Sequence, residues 1–191
     1  MAEGTVGTGH SSKGTNGSSN GSSVHADART IFDHVLACVL PEPALRRYLH
    51  LDETANTLTV AGRKYNLADY NRIVVVGGGK AGRRTGLELV NILGDRITAG
   101  VLNVYQEQAR EPISGNITLF AANHPTPNEA GVEGARRMGD LLQGADSKTL
   151  VIALISGGGS SLMALPVPGI SMEDYVDIIN LLLTVPATID E

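Results

Sequence analysis

Arg72-Ile-Val-Val-Val-Gly-Gly-Gly-Lys-Ala-Gly82 is a β-branched run that breaks into three glycines and a lysine. Leu150-Val-Ile-Ala-Leu-Ile-Ser-Gly-Gly-Gly-Ser-Ser161 repeats the pattern further along. A short apolar run bounded by glycines fits a strand buried on both faces of a parallel sheet. Glycines at its carboxyl end let the chain turn tightly and approach a ligand with no Cβ in the way. Amides at the start of the next helix then face an anion. Two such turns, one carrying Lys80, point to an enzyme acting on a phosphorylated or carboxylated small molecule.

Working outward, Ile73–Val76 and Leu150–Ile155 are expected as strands, with a helix over Lys80–Leu93 after the first. Ile97–Val104 and Ile117–Ala121 are two more strands, and Asn128 is the cap of a helix running to Leu142. Ser171-Met-Glu-Asp174 caps a last helix to Thr184, ended by Pro186. This alternation predicts an α/β fold, a Rossmann-like open sheet, mostly parallel, with helices on both faces. Upstream, a helix is expected from near Asp27 to Leu40, stopped by Pro41-Glu-Pro43, then a helical turn over Ala44–His50. Thr57–Val60 and Arg63–Tyr65 flank Ala61-Gly62 as a hairpin. Residues 1–27 are expected as a disordered Gly/Ser-rich tail, and residues 28–191 as the domain.

The chain has 191 residues, the size of one domain or one plus a tail. Hydrophobic residues make up 42% but aromatics only 4%, so small aliphatics and 23 glycines must do the packing. A net charge of −5 argues against non-specific nucleic-acid binding. The single cysteine, Cys38, excludes an internal disulfide. Its neighbours Ile31, Phe32, Val35, Leu36 and Val39 suggest a small buried hydrophobe. No apolar run approaches the roughly 20 residues of a membrane helix, and the amino terminus lacks a signal-peptide stretch. No membrane partner is expected, and a cytoplasmic location is the default.

Gly77, Gly79 and Gly82 formally match the dinucleotide pattern G-x-G-x-x-G. That pattern wants an acidic residue about 20 positions on; Asp95 comes too early, while Glu107 remains open. The Walker loop fails, because Val74 stands where it needs glycine and Ala81 follows the lysine where it needs Ser or Thr. Lys80, at a strand-to-helix switch, projects to the carboxyl edge of the sheet as a positive charge for an oxyanion. Ser156, Gly157, Gly158, Gly159 and Ser160 offer amides and hydroxyls to a phosphate or carboxylate. A serine nucleophile is the rival reading, disfavoured because the elbow G-x-S-x-G is absent. His124, in Asn123-His-Pro-Thr-Pro127, also falls at the carboxyl edge, either as a positioned side chain or as an ordinary loop residue. No His, Cys or carboxylate spacing suggests a metal. His10, His25, His34 and His50 carry no signal, and Arg83-Arg84 and Arg136-Arg137 read as solvated helix faces.

In order along the chain, Leu58-Thr-Val60, Val76-Gly-Gly-Gly-Lys-Ala81, His124-Pro-Thr-Pro-Asn-Glu-Ala-Gly131, Leu154-Ile-Ser-Gly-Gly-Gly-Ser160 and Ala187-Thr-Ile189 resemble one family. It is the amino-terminal domain of the class II glycerate kinases, and the resemblance covers about residues 28–191. The resemblance implies ATP- and Mg2+-dependent phosphorylation of D-glycerate to 2-phosphoglycerate by a two-domain enzyme with its site between domains. It implies a catalytic role for Lys80, with Gly77, Gly78, Gly79, His124 and Ser156–Ser160 lining the site. Asn103-Val-Tyr-Gln-Glu-Gln108 departs from the basic, glycine-containing loop usual in that family. Thr184-Val-Pro186 stands where a Ser-Gly pair is usual. On this reading the chain is a fragment lacking a second domain and inactive alone; a homo-oligomer is left open. Two alternatives stand beside it. One is an NAD(P)H-dependent hydroxypyruvate reductase holding pyrophosphate on Gly77, Gly79 and Gly82. The other is a non-catalytic nucleotide- or acid-binding module.

Overall fold

The computed structural model describes residues 20–113, 115–185 and 188. They form two compact units, one up to Leu40 and one from Pro41 onward. Among its described residues the first holds one helix, α1 (Asn20–Cys38), carrying an Arg29–Asp33 ion pair one turn apart. It starts ahead of Asp27, so the last residues of the expected tail are helical; the rest of that tail lies outside the described residues. Ile31, Phe32, Val35, Leu36 and Cys38 are exposed, which corrects the reading of Cys38 as buried. Among the described residues of this unit no second layer is present against which to bury the apolar stripe.

The second unit opens with α2 (Pro41–Tyr48). Proline suits the first helical position, where its missing N–H has no intrahelical partner to lose. Pro41-Glu-Pro43 therefore starts a helix as well as stopping one. Three antiparallel strands follow in the order β1 (Leu49–Asp52), β2 (Thr57–Val60) and β3 (Arg63–Asn66). The hairpin is where the sequence puts it. Leu49 and His50, the end of the helical turn expected over Ala44–His50, instead open β1, where His50 faces Thr59. Long-range pairing with β2 overrides the local helical preference, and Leu49 and Leu58 are buried by it.

The main sheet then builds from β4 (Arg72–Gly78), α3 (Gly82–Leu93), β5 (Ala99–Tyr105), β6 (Ile117–Ala122), α4 (Glu129–Leu142) and β7 (Thr149–Ile155). A one-turn α5 (Gly159–Leu162) and α6 (Met172–Thr184) complete it. All four strands are parallel, in the order β6-β5-β4-β7. Alternation divides each strand between two faces. Val75, Leu102 and Val104 join Leu89, Val90 and Leu93 of α3 in one core. Val74 and Val101 are buried on the other side, where α4 packs on β5 and β6 through Val132, Ala135 and Met138. Burying each large aliphatic side chain contributes about 2 kcal/mol. The α/β open sheet with helices on both faces is thus the observed architecture.

Capping follows the sequence closely. Asn128 Oδ1 accepts from Gly131 N–H at 3.0 Å, and Ser171 Oγ accepts from Asp174 N–H at 3.0 Å. Pro186, expected to end α6, lies outside the described residues. The arginine pair on α3 departs from the expected solvated face. Arg84 donates to Glu42 of α2 at 2.7 Å, and Arg83 donates to Glu111 at 2.9 Å. Arg46 of α2 pairs with Glu88 of α3, which is buried and also accepts from Asn91. Two crossed ion pairs therefore join α2 to α3. Arg137, by contrast, makes only an exposed pair with Glu133 one turn away.

Candidate active site

Leaving β4, the chain lays β5 and β6 on one side and returns to place β7 on the other. Strand order reverses there, and open α/β sheets bind ligands outside the carboxyl ends at such a point. The last paired residues of these neighbours are Gly78 and Ile155. The two glycine turns thus lie side by side.

They are sewn together by their own backbones. Ser156 N–H donates to the Gly78 carbonyl at 3.1 Å, and Lys80 N–H donates to the Gly157 carbonyl at 2.9 Å. Ala81 N–H donates to Ser156 Oγ at 3.1 Å. Gly79 N–H goes to the Asn103 carbonyl at 3.1 Å, and Gly82 N–H to the Gly79 carbonyl at 2.9 Å. Gly79 has a φ of 138°, and a Cβ there would overlap Ser156 Oγ. Gly77 and Gly78 belong to β4 itself. Gly77, Gly78 and Gly79 allow close approach between strands and turns, and the Gly79 amide is spent internally.

The second turn is more open. Gly159 is buried and donates its N–H to the Ser156 carbonyl at 3.2 Å, so it too is committed. Among the described residues, the N–H groups of Gly157 and Gly158 donate to no backbone oxygen. Ser160 is exposed, whereas Ser156 is partly buried and holds Ala81. The helix after this turn, α5, is a single turn long.

Lys80, Tyr105, Gln108 and His124 line a cavity of about 350 Å³ at this edge. Gly158 takes the left-handed conformation, φ 84°, and so passes close to two of them. A Cβ on Gly158 would stand 2.9 Å from His124 Cδ2 and 3.4 Å from Lys80 Cε. Lys80, His124 and the second glycine turn, three separate readings of the sequence, therefore meet in one place. Tyr105 and Gln108 were missed as wall residues. Their signal was the unusual stretch Asn103–Gln108, which runs out of the end of β5, and Gln108 Nε2 donates to the Lys80 carbonyl at 2.6 Å. Glu107, the candidate ribose ligand of a dinucleotide, is exposed. A wider cleft of about 480 Å³, bounded by Arg136 and Leu165–Ile170, lacks comparable chemistry.

The cavity is lined by one ammonium, one imidazole, a phenol and a carboxamide, and Gly158 of the second turn passes against two of them. Such a set holds a small polar anion by charge and directed hydrogen bonds. Among the described residues no three His, Cys, Asp or Glu side chains gather as a metal centre requires. No helix among them is long and apolar enough to cross a membrane.

A family model described as a domain of unknown function, DUF4147, matches residues 27–191. The chain is 30% identical to the glycerate kinase of Bos taurus over 176 residues, 86% of this chain and 33% of that protein. It is 33% identical to the D-glycerate 2-kinase of Thermotoga maritima over 121 residues, 63% of this chain and 29% of that one. A crystal structure of a Thermotoga maritima glycerate kinase superposes with a TM-score of 0.69 at 27% identity, covering 88% of this chain and 37% of that one. The chain spans about a third of the length of the curated relatives it matches.

Proposed function

The chain belongs to the DUF4147 family, and from that membership and its glycerate kinase relatives we propose that it carries part of the site for ATP-dependent phosphorylation of D-glycerate to 2-phosphoglycerate. The observation that carries the reading is the convergence of Lys80, His124 and Gly158 of the second glycine turn at the switch point of the sheet. Transfer of a γ-phosphoryl group needs positioning and positive charge more than covalent chemistry from the protein.

Lys80 opposes charge on the transferring phosphoryl group or on the glycerate carboxylate. The amides of Gly157 and Gly158 and the hydroxyl of Ser160 seat anionic oxygens, and His124 faces the acceptor. Magnesium, when bound, would neutralise phosphate charge. Two substrates must be held in near-attack geometry away from water. With Lys80 exposed and about a third of the relatives' length present, the 191 residues alone are expected to form no phosphoglycerate.

The reductase reading is weaker, because the amides of Gly79 and Gly82 are already spent on the Asn103 and Gly79 carbonyls. ATP, D-glycerate and NADH, titrated separately into isotope-labelled protein, distinguish the readings. Shifts at Lys80, His124 and Gly157–Gly158 with ATP or D-glycerate support the kinase. Shifts with NADH alone transfer the assignment to the reductase. Turnover is read in a chimera placing this chain in the Thermotoga maritima kinase, with NMR locating the product phosphate. Binding without turnover there favours the non-catalytic module.

A further inference from the structure

Asn103 is wholly buried, among the aliphatic residues Val101, Leu102 and Val104 of β5. A strand covered on both faces is satisfied by Val or Leu at each such position. A carboxamide there gives up its hydration and must find partners. Asn103 Nδ2 donates to the Gly131 carbonyl and to the Leu162 carbonyl, both at 2.7 Å. Two carbonyl acceptors fix which end of the amide is nitrogen. Oδ1 lies against Gly134, where a Cβ would overlap it. The main-chain carbonyl of Asn103 accepts Gly79 N–H at 3.1 Å.

Each contact leads to a different part of the site. Gly131 is in the first turn of α4, directly after the loop that bears His124. Leu162 closes α5, the turn after Gly157–Gly159, and its carbonyl is at a helix end where the chain supplies no helical donor. Gly79 precedes Lys80. One residue thus ties the three loops to a single point in the sheet.

We propose that Asn103 is a positioning residue, setting where the His124 loop and the second glycine turn stand relative to Lys80. The inference deepens the phosphoryl-transfer reading and rests on it only for what these loops are for.

The test compares Asn103→Val, Gly134→Ala and the core control Leu102→Val in the 191-residue protein. The readouts are thermal unfolding, the His124 ring and Gly158 amide resonances, and binding of inorganic phosphate. Asn103→Val is expected to stay folded, to displace both resonances and to weaken phosphate binding about tenfold. Gly134→Ala pushes the intact carboxamide off its acceptors and should reproduce the displacement; it carries the test if Asn103→Val does not fold. Leu102→Val should lower the unfolding midpoint while leaving both resonances in place. The proposal is overturned if the folded Asn103 or Gly134 variant keeps His124 and Gly158 in their native positions. It is equally overturned if Leu102→Val moves them as far. Should the native chain bind no phosphate, the functional reading fails, and the resonance comparison still decides the positioning role.

Discussion

Ser156 Oγ accepts a hydrogen bond from the backbone N–H of Ala81 at 3.1 Å, across 75 residues of chain. The serine that looked like a ligand contact therefore holds the start of α3 against the end of β7. Ser156→Ala is expected to cost about 1 kcal/mol, the net worth of one such bond. Ser160→Ala should leave stability unchanged and weaken anion binding instead. Urea titrations beside phosphate titrations of the two variants separate the roles; equal stabilities would remove the tether assigned to Ser156.

Lys80→Met keeps most of the side-chain length and removes the charge. The expected result is loss of ATP and glycerate shifts in the isolated chain. In the chimera turnover should fall about 10²- to 10³-fold, the scale of losing one preorganised electrostatic group. Near-native turnover would end the kinase assignment.

Gly158→Ala puts a methyl group between His124 and Lys80 and forces a left-handed backbone on alanine. A destabilisation of about 1 kcal/mol is expected from the backbone alone. Anion binding should fall further than that strain accounts for. Calorimetry and phosphate titration of the same sample check it, and unchanged binding would show that the turn does not need to pass so near the histidine.

The Arg46 guanidinium, hydrogen-bonded to Glu88, holds that carboxyl below its ordinary value even though burial pushes it up. A depressed carboxylate stabilises the fold above its unfolded pKa, about 4.3. That contribution is lost as pH falls through the lower, folded value. Unfolding midpoints of the native chain should therefore decline on acidification below about pH 4. Glu88→Gln should flatten that decline, and an identical acid profile would place the sensitivity elsewhere.

Much of the fold was legible because Ile73–Val76 and Leu150–Ile155 are β-branched runs ending in glycine, and Asn128 and Ser171 are caps that act locally. What was not legible depends on contacts far apart in sequence. Nothing in the run Leu49–Asp52 announces a strand until β2 lies beside it. Lys80, His124 and Ser160 were each readable as edge residues of a sheet. That β4 and β7 are neighbours, so that the two turns share their amides, follows only from strand order. Cys38 was misread because a helical stripe predicts burial only where a second layer exists to receive it.

The crossed pairs between α2 and α3 work as a code as well as a clamp. On α2 the order is Glu42 then Arg46, and on α3 it is Arg84 then Glu88, so each acid meets a base. Slip one helix by a turn and Glu42 would confront Glu88, or Arg46 would confront Arg84, with one of the acids already out of water. Like charges so placed repel. The observed registration of the two helices is the one in which both pairs have opposite signs. Either slip would also take Arg46 away from the buried Glu88.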